Sequence, residues 1–275
     1  MKRSIKTLAR APAPRSTRVE LIPAERHARL LEILRVRRAA SIRELAELLG
    51  GSASTVRRDL DDLAGRGAIM RTFGGAEVKD GGLSTFEPDV AVAEHLEHEE
   101  KQRIGRHAAL MVKPGQSVIF DSGTTVLEAA KAFAHRAVGG TVVTNDVGIA
   151  RLMADVATAR LVVLGGTLRP RSSTLFGEAT ERFVSELHVD LALIGAHSIT
   201  GDLITETSLE IARIKRAIVR AARRTYVLVD HTKFREPAFA DVCRARDVAG
   251  LVTSRGANAK TLALWRDAGL EIQLV

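Results

Sequence analysis

Hydroxyl and guanidinium groups cluster at the start of one short amphipathic segment, residues 52–64. Its hydrophobic residues recur at i, i+4 and i+7 and predict the buried face of a helix: Val56, Leu60 and Leu63. The polar groups at its start and on its exposed side are Ser52, which is the predicted N-cap, Ser54, Thr55, Arg57 and Arg58. Hydroxyls and arginines bind phosphate oxygens, and an arginine can also read a guanine edge. We predict a helix that enters the major groove of DNA; the alternative is a surface helix with solvated arginines.

Two more helices are predicted upstream of this segment. Pro23 suits the first position of a helix that runs to about residue 38. A second helix starts after Ser41, which forms a capping box with Glu44. The Gly50-Gly51 turn then leads into residues 52–64, which gives the helix-turn-helix pattern. We include Ser41 among the residues expected to contact DNA.

A hairpin is predicted directly downstream. Residues 69–72 and 76–78 are two short strand-like segments around Gly74-Gly75, and a two-glycine turn is typical of a hairpin. Three helices followed by a hairpin predict a winged helix-turn-helix domain. Arg71 would then lie near a DNA phosphate, or else be a solvated charge on an edge strand.

Positive charge is concentrated in the first 78 residues. The chain has a formal net charge of +8, and residues 1–78 hold 16 Lys and Arg against 9 Asp and Glu. The remainder is nearly neutral. A basic domain joined to a near-neutral one is typical of a protein that binds a polyanion with one end. Aromatic residues make up only 4%, which disfavours stacking on single strands as the main binding mode.

Strands and helices alternate from residue 117 to the C-terminus. The apolar strand segments and the intervening helices form repeated β-α-β units, which predict a parallel sheet covered on both faces. The longer helices are predicted at residues 124–136, 146–155, 178–187 and 207–224. The fold class is therefore α/β, with an N-terminal winged helix-turn-helix domain and a C-terminal Rossmann-like parallel sheet.

Polar residues follow five of these strands, where ligands bind in open parallel sheets. Helix capping explains one such cluster but hardly five on one rim, so we predict a ligand site. The strand-end residues assigned to it are Asp121, Ser122, Gly123, Thr124, Thr125, Thr144, Asn145, Gly165, Gly166, His197, Asp230 and Lys233. Glu210 and Lys215, on the helix before the fifth of these strands, complete the predicted site.

The loop at residues 121–125 suits a phosphate group. It offers a glycine for close backbone approach, hydroxyl groups, and the start of a helix with unpaired N–H groups. Lys215 and Lys233 are candidate countercharges, although Lys215 also fits a solvated basic helix. Neither the G-x-G-x-x-G nor the G-x-x-x-x-G-K-[ST] pattern occurs, so no dinucleotide or other cofactor is expected.

Other features of the chain argue against a metal site, disulfides or export. His95 and His98 have H-x-x-H spacing but no third ligand nearby, so a polar face of a helix predicted over residues 91–112 is the better interpretation. The single cysteine, Cys243, is expected on a strand as a small apolar residue. Without a secretory signal or an apolar run of about 18 residues, we expect a cytoplasmic protein with no membrane segment.

The predicted organisation has four parts. Residues 1–22 form a basic tail expected to be disordered, and residues 23–78 form the DNA-binding domain. Residues 79–98, with glycines, a proline and mixed charge, are predicted as a linker, and residues 99–275 as the ligand-binding domain.

The chain resembles the DeoR-type bacterial regulators over nearly all of residues 26–275. Its N-terminal match is Arg26-x3-Leu30-x3-Leu34, then 17 residues to the segment 52–60. The C-terminal matches are Glu100-Lys101, Asp121-x-Gly-Thr-Thr, Thr144-Asn145, Gly165-Gly166 and Asp230-x-x-Lys233-Phe234. Two positions depart from the family pattern: Asp89, where an arginine is common, and His197-Ser198 in place of a small or acidic pair.

The resemblance implies the fold, the partners and the function. It implies that Thr55, Arg57 and Arg58 lie on the recognition helix, and that the C-terminal domain is similar to ribose-5-phosphate isomerase. It further implies a sequence-specific transcriptional regulator, a repressor of a carbohydrate or polyol catabolic operon. Its expected partners are double-stranded operator DNA, a phosphorylated sugar or polyol that releases it, and further copies of itself in a dimer or tetramer.

An enzyme is the alternative. Asp121, Glu210 and His197 could move protons on a ring-opened phosphosugar, as in an isomerase with an appended helical domain. That hypothesis leaves the basic N-terminal domain without a role, so we expect no catalytic residues.

Overall fold

A computed structural model describes residues 22–78, 90–136 and 138–275. The predicted tail lies outside the described residues except for Ile22, and so do residues 79–89 of the predicted linker, including Asp89. The N-terminal elements are α1 (Pro23–Arg37), β1 (Ala39–Ser41), α2 (Ile42–Leu49), α3 (Ala53–Gly65), β2 (Ile69–Thr72) and β3 (Gly75–Val78).

The three N-terminal helices enclose a small core. The helix faces predicted from periodicity meet there, and the fully buried side chains are Leu30, Leu34, Leu45, Val56 and Leu60. The predicted caps are confirmed: the Ser41 and Ser52 hydroxyls accept hydrogen bonds from the backbone N–H of Glu44 and Thr55, at 3.2 and 3.1 Å. Caps of this kind satisfy N–H groups that a helix leaves unpaired at its start.

The wing has one strand more than the sequence predicted. β1 pairs antiparallel with β3, so the sheet order is β1-β3-β2. Gly75 on β3 lies so close to β1 that a Cβ there would stand 2.3 Å from the Ala40 carbonyl oxygen. The second glycine of the turn therefore serves strand packing, whereas Gly74, with a φ of 86°, serves the turn itself.

The remaining elements form the C-terminal domain. The first part contains α4 (Val90–His95), α5 (His98–Met111), β4 (Ser117–Phe120), α6 (Thr124–Ala134), β5 (Gly140–Thr144), α7 (Val147–Met153), β6 (Ala159–Val163), β7 (Thr167–Leu168), β8 (Leu175–Phe176) and α8 (Glu178–Ser185). The second part contains β9 (Val189–Ile194), β10 (Ser198–Thr200), β11 (Leu203–Glu206), α9 (Leu209–Ala221), β12 (Ala222–Val229), β13 (Ala240–Arg244), β14 (Gly250–Thr253), α10 (Ala259–Asp267) and β15 (Glu271–Leu274).

The predicted parallel sheet is confirmed. Seven parallel strands run in the order β15-β14-β12-β9-β4-β5-β6, with helices packed on both faces. The chain order reverses between β4 and β9, because β4 continues outward to β5 and β6 while β9 continues to β12. In a doubly wound sheet this reversal opens a crevice at the carboxyl ends of the strands.

A second, antiparallel sheet of β10, β11 and β13 was not predicted from the sequence. Its strands are short and interrupt the β-α alternation, so no periodicity identified them. The strand position of Cys243 is confirmed, since Cys243 lies half-buried on β13.

Two helix predictions are wrong, one in the interior of the helix and one at its end. The single helix over residues 91–112 is broken at Leu96 and Glu97, because Leu96 packs against the core of the first domain and Glu97 takes a left-handed φ of 51°. The helix over residues 207–224 ends at Ala221, because residues 222–224 pair with β9 as the start of β12.

Gly105 on α5 is expected to be intolerant of a side chain. A Cβ there would lie 2.5 Å from the backbone carbon of Glu128 on α6. Gly105→Ala should therefore lower the melting temperature, since overpacking costs about 1–3 kcal/mol. The matched control is Gly65→Ala at the end of α3, which has open space around it and should melt no lower than wild type. Circular dichroism measures both, and an unchanged Gly105→Ala midpoint would contradict the packing.

Candidate DNA interface and effector site

The start of α3 presents a cluster of hydroxyls to solvent. The Ser52 Oγ lies 2.8 Å from the Ser54 Oγ and 2.9 Å from the Thr55 Oγ1. Arg57 and Arg58 follow one turn later, both exposed, and neither forms an ion pair with any residue that the structure describes. The helix start thus combines hydroxyls, unused cations and the positive end of a helix dipole.

A surface concavity of about 560 Å³ joins this helix to the wing. It is lined by Ser41, Ile42, Arg43, Ala46, Glu47, Gly50, Gly51, Ala53, Arg57 and Gly74. The helix-turn-helix and the tip of the wing therefore share one continuous surface, and the sequence-predicted Ser41 and Arg57 lie on it.

Among the residues that the structure describes, Arg71 contacts two groups of its own domain. Its Nη1 donates to the Gly75 carbonyl at 2.8 Å, and its Nε lies 3.0 Å from an Asp61 carboxylate oxygen on α3. The side chain therefore braces the hairpin against α3.

The crevice between β4 and β9 holds a buried charge cluster. The Lys215 ammonium pairs with the Asp121 carboxylate, donates to the Gly195 carbonyl at 2.9 Å and lies 3.4 Å from Glu206. Burial lowers the pKa of Lys215, but the two carboxylates outweigh burial and raise it above its ordinary value. The ammonium therefore stays charged, and the solvated-helix interpretation of Lys215 is wrong. Glu206 was missed by sequence reasoning.

Two buried acceptors at this rim have no hydrogen-bond donor among the described residues. They are the Oδ1 of Asp121, after β4, and the Oδ1 of Asn145, after β5. Buried polar atoms in proteins are almost always paired, so an orphaned pair at a crevice indicates a place for an outside donor. Hydroxyl groups are donors of that kind.

The start of α6 lies beside these acceptors. Gly123 precedes the helix with a φ of 130° and provides no side-chain cap, whereas Ser208 and Asn258 cap α9 and α10. Ser122 and Thr125 are buried and Thr124 half-buried in the same loop. α6 has eleven residues, and its uncapped start leaves backbone N–H groups that suit an anion.

Asp146, which the sequence argument passed over, is also part of this rim. It caps α7 by accepting hydrogen bonds from the backbone N–H of Gly148 and Ile149. Burial raises its pKa to about 6, and the charge of Asp121 makes a smaller contribution in the same direction. The two backbone hydrogen bonds lower the pKa but do not outweigh burial. Thr144 is buried next to it, and its hydroxyl donates to the Phe120 carbonyl at 2.8 Å.

Three more predicted residues lie further along the rim: Gly165, Gly166 and His197. Gly165 accepts a hydrogen bond from the Thr180 hydroxyl, and Gly166, with a φ of 139°, leaves no room for a Cβ beside the Phe176 carbonyl. His197 is buried, and its Nε2 lies 2.6 Å from the Nη2 of Arg235, a cation that sequence reasoning missed.

Asp230, at the end of β12, lies between lysines. Burial raises the pKa of its carboxyl, but Lys233 and Lys101 outweigh burial and bring it below the ordinary value. Lys101 is itself buried and donates to the Ala93 carbonyl at 2.6 Å. The sequence had marked Lys101 only through the family motif Glu100-Lys101.

The structure does not bring Glu210 into the crevice. It is exposed on the first turn of α9, where its own backbone N–H and the Ser208 hydroxyl lower its pKa. The carboxylate beside Lys215 is that of Glu206.

Three groups near the rim have the chemistry of metal ligands: Glu97, Glu100 and His231, whose ligand atoms lie within 4.8 Å of one another. His231 Nδ1 stands 2.9 Å from a Glu100 carboxylate oxygen. This hydrogen bond accounts for the grouping without an ion.

Fold and site together define a transcriptional regulator with a DNA-binding domain and a ligand-sensing domain. Residues 26–81 match the DeoR-like helix-turn-helix domain and residues 96–255 the DeoR C-terminal sensor domain. The chain belongs to the DeoR family of DNA-binding transcriptional regulators, as the sequence resemblance predicted. In the part of the chain that the structure describes, no helix has the length and apolar character to span a membrane.

Several curated proteins are similar along almost their whole length. The glycerol-3-phosphate regulon repressor of Escherichia coli K12 is 29% identical over 251 residues, which is 91% of this chain and 98% of that protein. The repressor GlcR of Bacillus subtilis 168 is 32% identical over 257 residues (90% and 95%), and the repressor AccR of Agrobacterium fabrum is 32% identical over 234 (84% and 90%).

Solved structures resemble the fold more distantly. Ribose 5-phosphate isomerase A of Methanocaldococcus jannaschii superposes with a TM-score of 0.39 at 16% identity, over 50% of this chain and 55% of that one. The sorbitol operon regulator SorC of Klebsiella pneumoniae gives 0.37 at 14% identity, over 87% and 97%. Such remote likeness does not bear on what this chain binds.

The raised pKa of Asp146 predicts a pH dependence of stability. Because its folded-state pKa of about 6 exceeds the ordinary 3.8, the folded protein holds this proton more tightly than the unfolded chain. Its contribution is full below about pH 4 and is lost as the pH rises through about 6, by roughly 2–3 kcal/mol in total.

Asp146→Asn keeps a capping side chain and removes the titration, so it is the matched variant. The stability of wild type relative to Asp146→Asn should fall between about pH 4 and pH 7. Urea unfolding across this range measures the difference, and a constant difference would contradict a raised pKa.

Proposed function

We propose that this protein represses a carbohydrate or polyol catabolic operon and is released from its operator by a phosphorylated sugar or polyol. The observation that carries DNA binding is the exposed start of α3, beside the braced wing. It combines hydroxyls with two arginines that have no ion pair among the described residues. α3 would lie in the major groove, with Ser52, Ser54 and Thr55 on phosphates and Arg57 or Arg58 on a base edge.

The effector half rests on the crevice between β4 and β9. The uncapped start of α6 suits a phosphate, and the orphaned oxygens of Asp121 and Asn145 suit sugar hydroxyls. Lys233 and Arg235 add positive charge at the rim. The names of similar repressors, one of which controls a glycerol-3-phosphate regulon, support an effector of this class.

We infer that the chain is not an enzyme. Proton transfer by Asp121, Glu210 and His197 would need the three groups around one substrate. Asp121 is instead paired with a charged lysine, Glu210 faces solvent and His197 is engaged by Arg235. The curated relatives are repressors, which supports the same inference.

A continuous set of contacts connects the rim with the DNA-binding domain. Lys101 lies beside Asp230 at the rim and donates to the Ala93 carbonyl at the end of α4. α4 packs on α1, and Leu96 joins the core of the first domain. An effector that changes the charge around Asp230 would move α4 through Lys101, which is a coupling free energy between two sites.

We further propose that the protein acts as an oligomer in the cytoplasm. Two copies would place two recognition helices on two half-sites, as a dimer or a tetramer. Since its target is DNA, we expect the protein to act in the cytoplasm.

Loss of either recognition-helix arginine should weaken operator binding. Arg57→Ala and Arg58→Ala are expected to raise the Kd for operator DNA by about 5- to 100-fold, the range for a base contact. Arg151→Ala, which removes an exposed arginine of the sensor domain, is the control with the same charge loss. Fluorescence anisotropy at fixed salt on DNA from upstream of its own gene, or on duplexes selected from a random library, gives the Kd. Unchanged affinity in both variants would remove the assignment of α3.

Two further variants separate effector binding from its transmission. Asn145→Ala should weaken binding of the phosphosugar that releases DNA, found by titrating a panel against the operator complex, because a hydroxyl loses its acceptor. Lys101→Met should bind that compound in calorimetry yet fail to release DNA. A Lys101→Met protein that folds, by circular dichroism, and responds like wild type would exclude this route.

A further inference from the structure

Phe73 is the most exposed large hydrophobic side chain that the structure describes. It stands at the tip of the wing, where the hairpin closes between the paired residues Thr72 and Gly75, and it is fully exposed. The neighbours at the tip, Thr72 and Gly74, carry no charge. An isolated aromatic ring on a charge-free hairpin tip has no packing partner among the described residues, so it is accessible to a binding partner.

The tip is held rigidly. The Ile42 N–H at the start of α2 donates to the Gly74 carbonyl at 2.9 Å, and Arg71 joins the Gly75 carbonyl to Asp61 on α3. The wing is thus fixed to both helices of the helix-turn-helix on either side of Phe73. A side chain presented on a rigid element loses little entropy when it binds.

The position of the tip beside α3 indicates DNA as the partner. Gly74, next to Phe73, lines the same concavity as Arg57 of the recognition helix. With α3 in the major groove, a hairpin beside it reaches the flanking minor groove, as the arms of some helical DNA-binding domains do. Arg71, the nearest cation on the hairpin, is bound to Asp61, so the tip offers a ring where other minor-groove elements offer a charge.

We propose that Phe73 is a wedge that enters the minor groove beside each half-site and partly unstacks one base step, so that the DNA bends. Apolar side chains inserted between base steps kink a duplex in this way. Pyrimidine–purine steps are the easiest to unstack, so the ring would select them at a position that no hydrogen bond reads. This inference rests on the proposed function and adds a specificity-determining residue to it.

The test uses the full-length protein and a duplex selected by it from a random library. Phe73→Ala removes the ring, Phe73→Leu keeps an apolar wedge, and Met70→Ala removes a partly exposed apolar side chain from the same hairpin as a control. Three quantities are measured: the Kd over a range of salt, the bend by energy transfer between the duplex ends, and 2-aminopurine fluorescence at each flanking step.

For Phe73→Ala we expect a Kd at least about 5-fold higher, a smaller bend and no 2-aminopurine increase at any flanking step. The salt dependence of the Kd should stay as in wild type, since no phosphate contact is lost. Phe73→Leu should keep part of the bend, and Met70→Ala should match wild type.

Other outcomes overturn the wedge. If Phe73→Ala binds and bends the duplex as wild type does, the ring does not enter DNA. If its only effect is a change of oligomeric state in sedimentation, Phe73 contacts a second copy. If wild type selects no duplex at all, the DNA-binding proposal fails and the wedge with it; selection without bending or unstacking overturns the wedge alone.

Discussion

The buried pair of Lys215 and Asp121 is the contact on which the sensor domain depends. A charge taken out of water is costly unless it is paired and hydrogen-bonded, and this ammonium has two carboxylates and a carbonyl around it. Lys215 comes from α9 and Asp121 from the end of β4, so the pair ties the two halves of the sheet across their reversal point. The cluster thereby fixes Asp121 at the crevice, where its Oδ1 has no donor among the described residues.

The DNA-binding domain uses charged pairs for the same purpose on a smaller scale. Asp59, on α3, is buried and accepts hydrogen bonds from Arg26 and His27 of α1, at 3.0 Å each. Asp61, also on α3, pairs in the same way with Arg71 of the wing, which donates. Arg57 and Arg58 face solvent, because Asp59 and Asp61 of the same helix pair with Arg26 and Arg71 instead.

In the proposed function, the signal passes between the domains through a short joint. α4 and Leu96 pack with the first domain, whereas α5 belongs to the second, and the chain turns between them at Glu97. Lys101 spans this turn from the sensor side. The left-handed Glu97 and the buried Lys101 ammonium therefore lie together at the joint between α4 and α5.

The sequence by itself determined the elements whose signals are local. Periodicity predicted the three helices and their buried faces, and Ser41 and Ser52 indicated the caps of α2 and α3. The apolar strands followed by polar residues predicted a parallel sheet with a rim. Only the tertiary structure decided which polar residues meet. Glu206 rather than Glu210 stands beside Lys215, Arg71 is tied to Asp61, and β1 completes the wing, because each contact joins segments that spacing along the chain does not relate. The type of a residue determines the chemistry that it can do. The partner of a buried charge is determined by proximity in the folded protein, because charges interact more strongly in the low dielectric of the interior than in water.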